Sequence, residues 1–367
     1  MTRKTSKWKR VEQAIKELIV SGQWKLGEKL PIYDELEIQF QVSRITLQQV
    51  VAQLKRDGYI TSRARQGLFV SLHPPHLTRI GIVIPRDEAQ VRFWYEVVKT
   101  ARIVAEHLGR ELVIYRNMEV SEEAERQLML DVENRLLSGI LFLYSISAGE
   151  RGYSIFRDPQ VPKAVPASTF LRGKRPSGLT LCFQLDERRM VCRALDYLQK
   201  RGCSRIAYFG NIGGSAVGTT FVDEIGSRGL YSPEEWHFPV AMQNVEIAGK
   251  IAQLLMALPE QKRPDGIFIG DDNFTSIVVK GLASTKVRLP DELPVVAHYN
   301  WSVGSRDHFP VKCLGFDLKS MLQRIFEAFQ TFYETGTLSQ TLLEPPVFEE
   351  ELNVNQINKE GFHEQAV

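Results

Sequence analysis

From Arg79 onward, short apolar runs alternate with stretches of helical period, and this alternation restricts the fold more than any other feature. The runs are Ile80–Ile84, Glu111–Tyr115, Gly139–Tyr144, Val161–Val165, Arg205–Phe209, Asp265–Ile269 and Leu293–Ala297. Helical patterns over 92–108, 121–137, 187–201, 244–258, 274–284 and 318–335 lie between and after them, and a last extended segment sits near Pro345. Strands covered on both faces read as continuous apolar runs, and an intervening helix lets successive strands run parallel. The order predicts an α/β domain of doubly wound parallel sheets, long enough for two lobes. Ligands in such sheets collect at the carboxyl ends of the strands. At 367 residues the chain exceeds what one ordinary core organises.

The first 76 residues follow another rule. Val11, Ile15, Leu18 and Ile19 recur at helical spacing, and Ser21-Gly22 closes that helix. Pro31 opens a short second helix with Ile32, Leu36 and Phe40 on one side. Ser43 is an N-cap for a third helix over 44–57, where Leu47, Val50, Val51 and Leu54 form a buried stripe. Its other face carries Arg44, Ile45, Thr46, Gln48, Gln49 and Ala52, with no acid before Asp57. Arg44 and Thr46 suit phosphates or base edges, Gln48 and Gln49 suit adenine, and Ile45 suits a thymine methyl. Tyr59–Arg63 and Leu68–Ser71 read as a hairpin with Arg63, Arg65 and Gln66 near its tip. Helix–turn–helix followed by a basic hairpin is the winged-helix arrangement. Charge agrees, since residues 1–76 hold 13 Lys and Arg against 7 Asp and Glu in a chain whose net charge is only +2. A basic head on a mildly acidic body fits a polyanionic partner.

Several classes are excluded. The basic start is followed by no apolar run, so no secretory leader is expected, and no apolar stretch is long enough to span a membrane. Cys182, Cys192, Cys203 and Cys313 lack metal-ligand or disulfide-framework spacing and read as free thiols of a reducing cytoplasm. Residues 72–78 read as an extended, exposed spacer, on which His73 and His76 make a poor metal pair. Nucleophile-elbow, Walker-type and H-E-x-x-H motifs are absent, so neither an enzyme nor a cofactor or metal is expected.

Two resemblances attach to these residues. Lys25-Leu26-Gly27-Glu28-Lys29-Leu30-Pro31, Val42-Ser43-Arg44-x-Thr46, Asp57-Gly58-Tyr59-Ile60 and Gly67-x-Phe69-Val70 resemble the head of the gluconate-repressor (GntR) family. The resemblance implies sequence-specific DNA binding as a dimer, with Arg44 and Thr46 at DNA-contacting positions and Gly67 as a wing glycine. Departures are Asp34 where a basic residue is usual, Gln48 where Arg is frequent, and Arg65 near a replaced wing glycine. The region 78–355 resembles the effector domain of the LacI family, itself similar to periplasmic sugar-binding proteins. Arg79–Pro85, Leu137-x-Gly139, Leu198-x-x-Arg201-Gly202, Pro264–Asp272 and Leu289–Val296 carry that likeness. It implies a cleft ligand, usually a sugar or nucleobase, with Asp272 as hydroxyl acceptor and Arg86, Trp94, Tyr95, Tyr144 and Trp301 around it. The usual later aspartate is absent, because Ala297-His298-Tyr299-Asn300 stands there, and Gly218-Thr219-Thr220 replaces an expected arginine.

The expected fold is multidomain: an α+β winged helix-turn-helix over 1–71, a linker over 72–78, and a two-lobed periplasmic-binding-like α/β domain over 79–367. The pairing resembles that of arabinose-repressor-type regulators. The expected function is a cytoplasmic, homodimeric transcription regulator, a repressor, whose affinity for double-stranded operator DNA is set by a sugar. The alternative is the same head on a domain that senses a non-sugar ligand or has enzymatic activity.

Overall fold

The computed structural model describes residues 6–86, 92–146, 150, 153–157, 160–170, 180–210, 216–239, 244–302, 309–339 and 341–352. The elements in chain order begin with α1 (Lys7–Val20), α2 (Tyr33–Phe40), α3 (Arg44–Arg56), β1 (Ile60–Arg63), β2 (Gly67–Val70) and α4 (Pro75–Thr78). Next come β3 (Arg79–Val83), α5 (Arg92–His107), β4 (Glu111–Tyr115), α6 (Glu122–Glu133), β5 (Gly139–Phe142), β6 (Lys163–Pro166) and β7 (Thr180–Leu185). Then follow α7 (Glu187–Lys200), β8 (Ile206–Phe209), α8 (Ala216–Ser227), β9 (His237–Phe238), α9 (Glu246–Ala257), β10 (Gly266–Ile269) and α10 (Asp272–Ala283). The last are β11 (Val295–His298), β12 (Lys312–Phe316), α11 (Leu318–Thr335), β13 (Thr341–Glu344) and β14 (Pro346–Phe348). No helix of the described residues is long and apolar enough to cross a membrane.

The chain divides into two compact units. Residues 1–87, 104–182 and 324–341 form one, and 88–103, 183–323 and 342–367 form the other. One six-stranded sheet runs β13-β7-β6-β5-β3-β4, and β4, β3, β5 and β6 are parallel in it. The other runs β14-β12-β11-β10-β8-β9, parallel except for β14 against β12. This is the doubly wound α/β architecture that the alternation predicts.

Most predicted strands stand where the apolar runs are, but β7, β9 and β12 fall outside the sequence reading. In β12 the apolar run is broken by Gly315, which is there because a Cβ would lie 2.0 Å from the Tyr299 carbonyl oxygen. A side chain has no room where the neighbouring backbone comes so close. Helix α6 is shorter than the predicted 121–137. It stops at Glu133, and Arg135 takes a left-handed φ of 56° in the turn that leads into β5. Gly139 in β5 lies under the Phe329 ring of α11, whose nearest atom would be 2.2 Å from a Cβ.

In the head, Leu47, Val50, Val51 and Leu54 are buried as the periodicity predicts, and they pack with Val11, Ile15, Ile19, Leu36 and Tyr59. Each such side chain contributes about 1.5–3 kcal/mol by leaving water. Ile32 departs from the expected apolar side of α2 and is exposed. The hairpin pairs Ile60 with Val70 through Arg63 with Gly67, and Lys29 bridges to Phe69 from the outer side.

The spacer expectation is overturned. Residues 75–78 form a helical turn that Pro75 starts, and His76 is buried rather than exposed. Its ring stacks on Tyr59 at 5.5 Å and meets Tyr333 of α11 edge-on, also at 5.5 Å. Burial, and secondarily the nearby Arg135 charge, push its pKa down from 6.5 to about 4. Around this stack the head is sewn to the turn before β5. The Tyr59 hydroxyl donates to the Arg135 carbonyl at 2.5 Å, and Arg135 pairs with Glu17 of α1 at 2.5 Å. Lys16, 1% exposed, pairs with Glu12 at 2.7 Å and Asp57 at 2.6 Å and donates to the Asn134 carbonyl at 3.1 Å. Leu136 packs on the head's core. A desolvated cation is tolerable only with such a full set of partners.

Candidate DNA interface and candidate effector site

Helix α3 presents its first turn to solvent because Ser43 caps it. The Ser43 Oγ accepts from the Thr46 amide at 3.4 Å and lies 3.0 Å from the Thr46 hydroxyl. Arg44, Ile45, Gln48 and Gln49 are exposed beside this end and Thr46 is half-buried. Ile45 is 70% exposed, an apolar side chain that nothing in the described head covers. The helix terminus adds unpaired amides and a partial positive charge, both suited to an anionic backbone.

Arg44 is already held. Its Nη1 lies 2.5 Å from the Asp34 carboxylate and 3.2 Å from that of Glu37, both on α2. Its guanidinium carbon stands 4.7 Å from the centre of the Tyr33 ring. The two carboxylates, Glu37 first, hold its pKa above the usual value. The hairpin brings Arg63, Arg65, Gln66 and Gly67 to an exposed tip, with Arg63 stacked 4.3 Å over Phe69. Arg65 takes a φ of 60° and Gly67 one of 109°. A left-handed arginine is strained by about 1 kcal/mol, so the tip carries a cation where glycine would be more comfortable. A groove of about 470 Å³ between wing and helix-turn-helix is lined by Lys29, Tyr33, Asp34, Arg44, Arg65 and Gln66 among others.

Of the expected effector residues, Trp94, Tyr95, Asp272 and Trp301 fall in one unit and Arg86 and Tyr144 in the other. Asp272 is buried at the start of α10, just past β10, and accepts from the Asn300 amide at 2.8 Å. Asn300 Oδ1 lies 3.2 Å from His298 Nε2. The departure at Asn300 thus has a physical reading: an amide beside Asp272 donates to it, where a second carboxylate would repel it. Glu187, opening α7, is raised in pKa by burial and partly relieved by His298. His298, Asn300 and Glu187 are additions to the residues expected from sequence.

The other expected residues have mixed settings. Trp301 is packed against Tyr299 and Cys313, and its indole N–H donates to the Val347 carbonyl at 3.1 Å. It serves as packing here rather than as an open stacking platform. Tyr95 is half exposed and Trp94 half-buried, both at the start of α5. Arg86 pairs with Glu119 at 2.8 Å. Tyr144 stands edge-on to Phe142, and burial raises its pKa. Among the described residues no three His, Cys, Asp or Glu side chains are grouped to hold a metal ion.

Residues 7–70 match the profile of bacterial regulatory proteins of the gntR family. The head is a gntR-family DNA-binding domain. Residues 195–308 match a periplasmic binding protein-like domain. The arabinose metabolism transcriptional repressor of Geobacillus stearothermophilus is 23% identical over 308 residues, 79% of this chain and 81% of that one. The HTH-type transcriptional regulator TauR of Rhodobacter capsulatus is 35% identical over 81 residues, 22% of this chain and 16% of its own.

Among solved structures, a LacI family transcriptional regulator from Lactobacillus casei with bound glucose is similar at TM-score 0.54. It is 18% identical and covers 74% of this chain and 98% of its own. The Escherichia coli transcriptional repressor ascG reaches TM-score 0.57 at 16% identity, covering 74% and 97%. At such identities the likeness speaks for the fold. The chain is a transcription regulator with a gntR head and a periplasmic-binding-protein-like domain.

Proposed function

We propose that the gntR head reads operator DNA as part of a homodimer in the cytoplasm, and that a sugar bound by the effector domain sets its affinity, making the protein a non-enzymatic repressor. The observation that carries this reading is the free face of α3. Ile45, Gln48 and Gln49 project beside a capped helix terminus while the opposite stripe is buried. In the proposed complex that terminus enters the major groove, with Arg44 and Thr46 at its edge. Arg63, Arg65, Gln66 and Gly67 lie against the backbone or minor groove. A two-fold operator asks for a two-fold protein. Asp272, oriented by Asn300, accepts a sugar hydroxyl, and Trp94 and Tyr95 supply aromatic surface. The sugars named for two solved neighbours, glucose in a LacI family regulator and cellobiose in the transcriptional regulator CelR, support the ligand class. Control follows from unequal ligand affinity for two states of the regulator.

The test is a thermal-shift panel of monosaccharides followed by DNA titration. A ligand at 100 times its Kd stabilises by about 2.7 kcal/mol. A hit that changes affinity for a selected DNA and disappears in Asp272→Ala supports the reading. A blank panel, or a hit indifferent to Asp272, removes the sugar site.

A further inference from the structure

We infer that Asp34 and Glu37 are positioning residues that make Arg44 a reader of guanine rather than a contact to phosphate. The inference rests on the proposal that this face of the head binds DNA.

Three groups of α2 fix one arginine. Asp34 and Glu37 take its Nη1 at 2.5 and 3.2 Å, and the Tyr33 ring supports the guanidinium plane from 4.7 Å. Among the described residues, the Nε and Nη2 of Arg44 have no hydrogen-bond partner. These two nitrogens share one edge of the guanidinium and donate in parallel, the fork that matches O6 and N7 of guanine.

The same fork also fits two oxygens of a phosphate, so geometry alone leaves two partners. Charge separates them. One arginine beside two carboxylates makes a locus of net charge about −1, while Lys29 and Arg65 line the same groove, so a phosphate is drawn to those two cations rather than to Arg44. Asp34 is 76% exposed, so its charge faces whatever approaches the groove. Guanine has no net charge and its O6 and N7 carry only partial negative charge, so repulsion by the two carboxylates costs it less than it costs a phosphate. Its O6 and N7 accept from a guanidinium already oriented, without the loss of side-chain freedom that a mobile arginine undergoes. The wing compensates for the missing phosphate contact, since Arg65 lines the same groove. Asp34 thereby lowers affinity for arbitrary DNA more than affinity for a site with guanine in place. Specificity arises here partly from a repulsive element.

The experiment uses the full chain with duplexes selected from a randomised library. Affinities for the selected duplex and a scrambled one are then compared over a range of salt. Asp34 is an exposed surface residue, so Asp34→Asn is expected to fold normally. It should tighten scrambled-duplex binding several-fold and lower the selected-to-scrambled ratio about tenfold. It should also steepen the salt dependence on scrambled DNA by up to about one phosphate contact. Guanine preference should weaken at one position of each half-site in a repeated selection. Arg44→Ala should abolish preference at that same position, and Asp34→Glu should restore it.

A ratio and a guanine preference that both survive Asp34→Asn overturn the positioning role and leave the DNA interface standing. Equal weakening on both duplexes also overturns it, because that is the mark of a merely structural residue. If the unaltered chain selects no sequence, the DNA reading fails and the positioning role falls with it.

Discussion

Two clusters in the head have the same make-up, one cation with two carboxylates, and differ in where they sit. Lys16 with Glu12 and Asp57 is buried where α1 meets the end of α3, against the Asn134 carbonyl of the turn before β5. Arg44 with Asp34 and Glu37 is open to solvent, the arginine 51% exposed. In water such a set of ion pairs contributes little net energy, because each ion gives up hydration nearly as good as its partner. Away from water every member depends on the others. The buried set therefore works as a joint, and the exposed set as an instrument in which two carboxylates hold one nitrogen of the arginine and leave its other edge open. Burial, rather than charge pattern, tells the two apart.

The comparison breaks most sharply at Lys16. Lys16→Ala leaves Glu12 and Asp57 desolvated without a cation, and the loss should be about 3–5 kcal/mol. Hydrogen exchange at the α1 and α3 amides reads this locally, without requiring the whole chain to unfold in one step. Replacing all three charges together, as Lys16→Met, Glu12→Gln and Asp57→Asn, should return much of the stability. If the single substitution costs under about 1 kcal/mol, the buried cluster is no joint and the contrast dissolves.

His76 gives the next largest effect and a pH dependence. Its folded pKa is about 4 against an ordinary 6.5, so the docked ring is neutral and the freed ring takes up a proton. The docked arrangement is thus most stable above pH 6.5. It weakens as pH falls toward 4, by about 1.4 kcal/mol per unit and about 3 kcal/mol in all. Below 4 the folded ring protonates too and the loss levels off. His76→Phe should keep the stack with Tyr59 and Tyr333, remove a buried Nδ1 that has no partner, and flatten the pH profile. An NMR titration placing His76 near 6.5 would show that the seam opens freely.

The two regions also differ in how far the sequence discloses them. The α3 face is local: one period of 3.6 puts Leu47, Val50, Val51 and Leu54 inside and leaves Ile45, Gln48 and Gln49 outside. The seam is not local. His76 reads as a spacer residue because Tyr333, the ring that covers it, comes from the far end of the chain. Lys16 lies four residues after Glu12, a spacing that says nothing of burial, and the turn at Asn134–Arg135 is what covers it. The effector lobe lies between these extremes. Parallel pairing matches Ile269 with Ala297, so the residues three places on, Asp272 and Asn300, meet. The departure at Asn300 is visible in the sequence, and its meaning comes from that register. Trp301 shows the reverse, since an aromatic after a strand looks like a stacking surface until Tyr299, Cys313 and the Val347 carbonyl close around it.

The smallest effect is the one that sharpens the contrast most. Arg44→Ala removes as many ion pairs as Lys16→Ala, yet should change head stability by under about 0.5–1 kcal/mol, because Asp34 and Glu37 regain water at once. Its effect on DNA should be larger than its effect on folding, which is the signature of a residue kept for its partner outside the chain. Amide exchange in α3 and affinity for a selected duplex, measured on the same variant, test both halves. A drop in α3 protection as large as that in Lys16→Ala would mean that the exposed cluster holds the helix in place. The division between joint and instrument would then lie somewhere other than the water boundary.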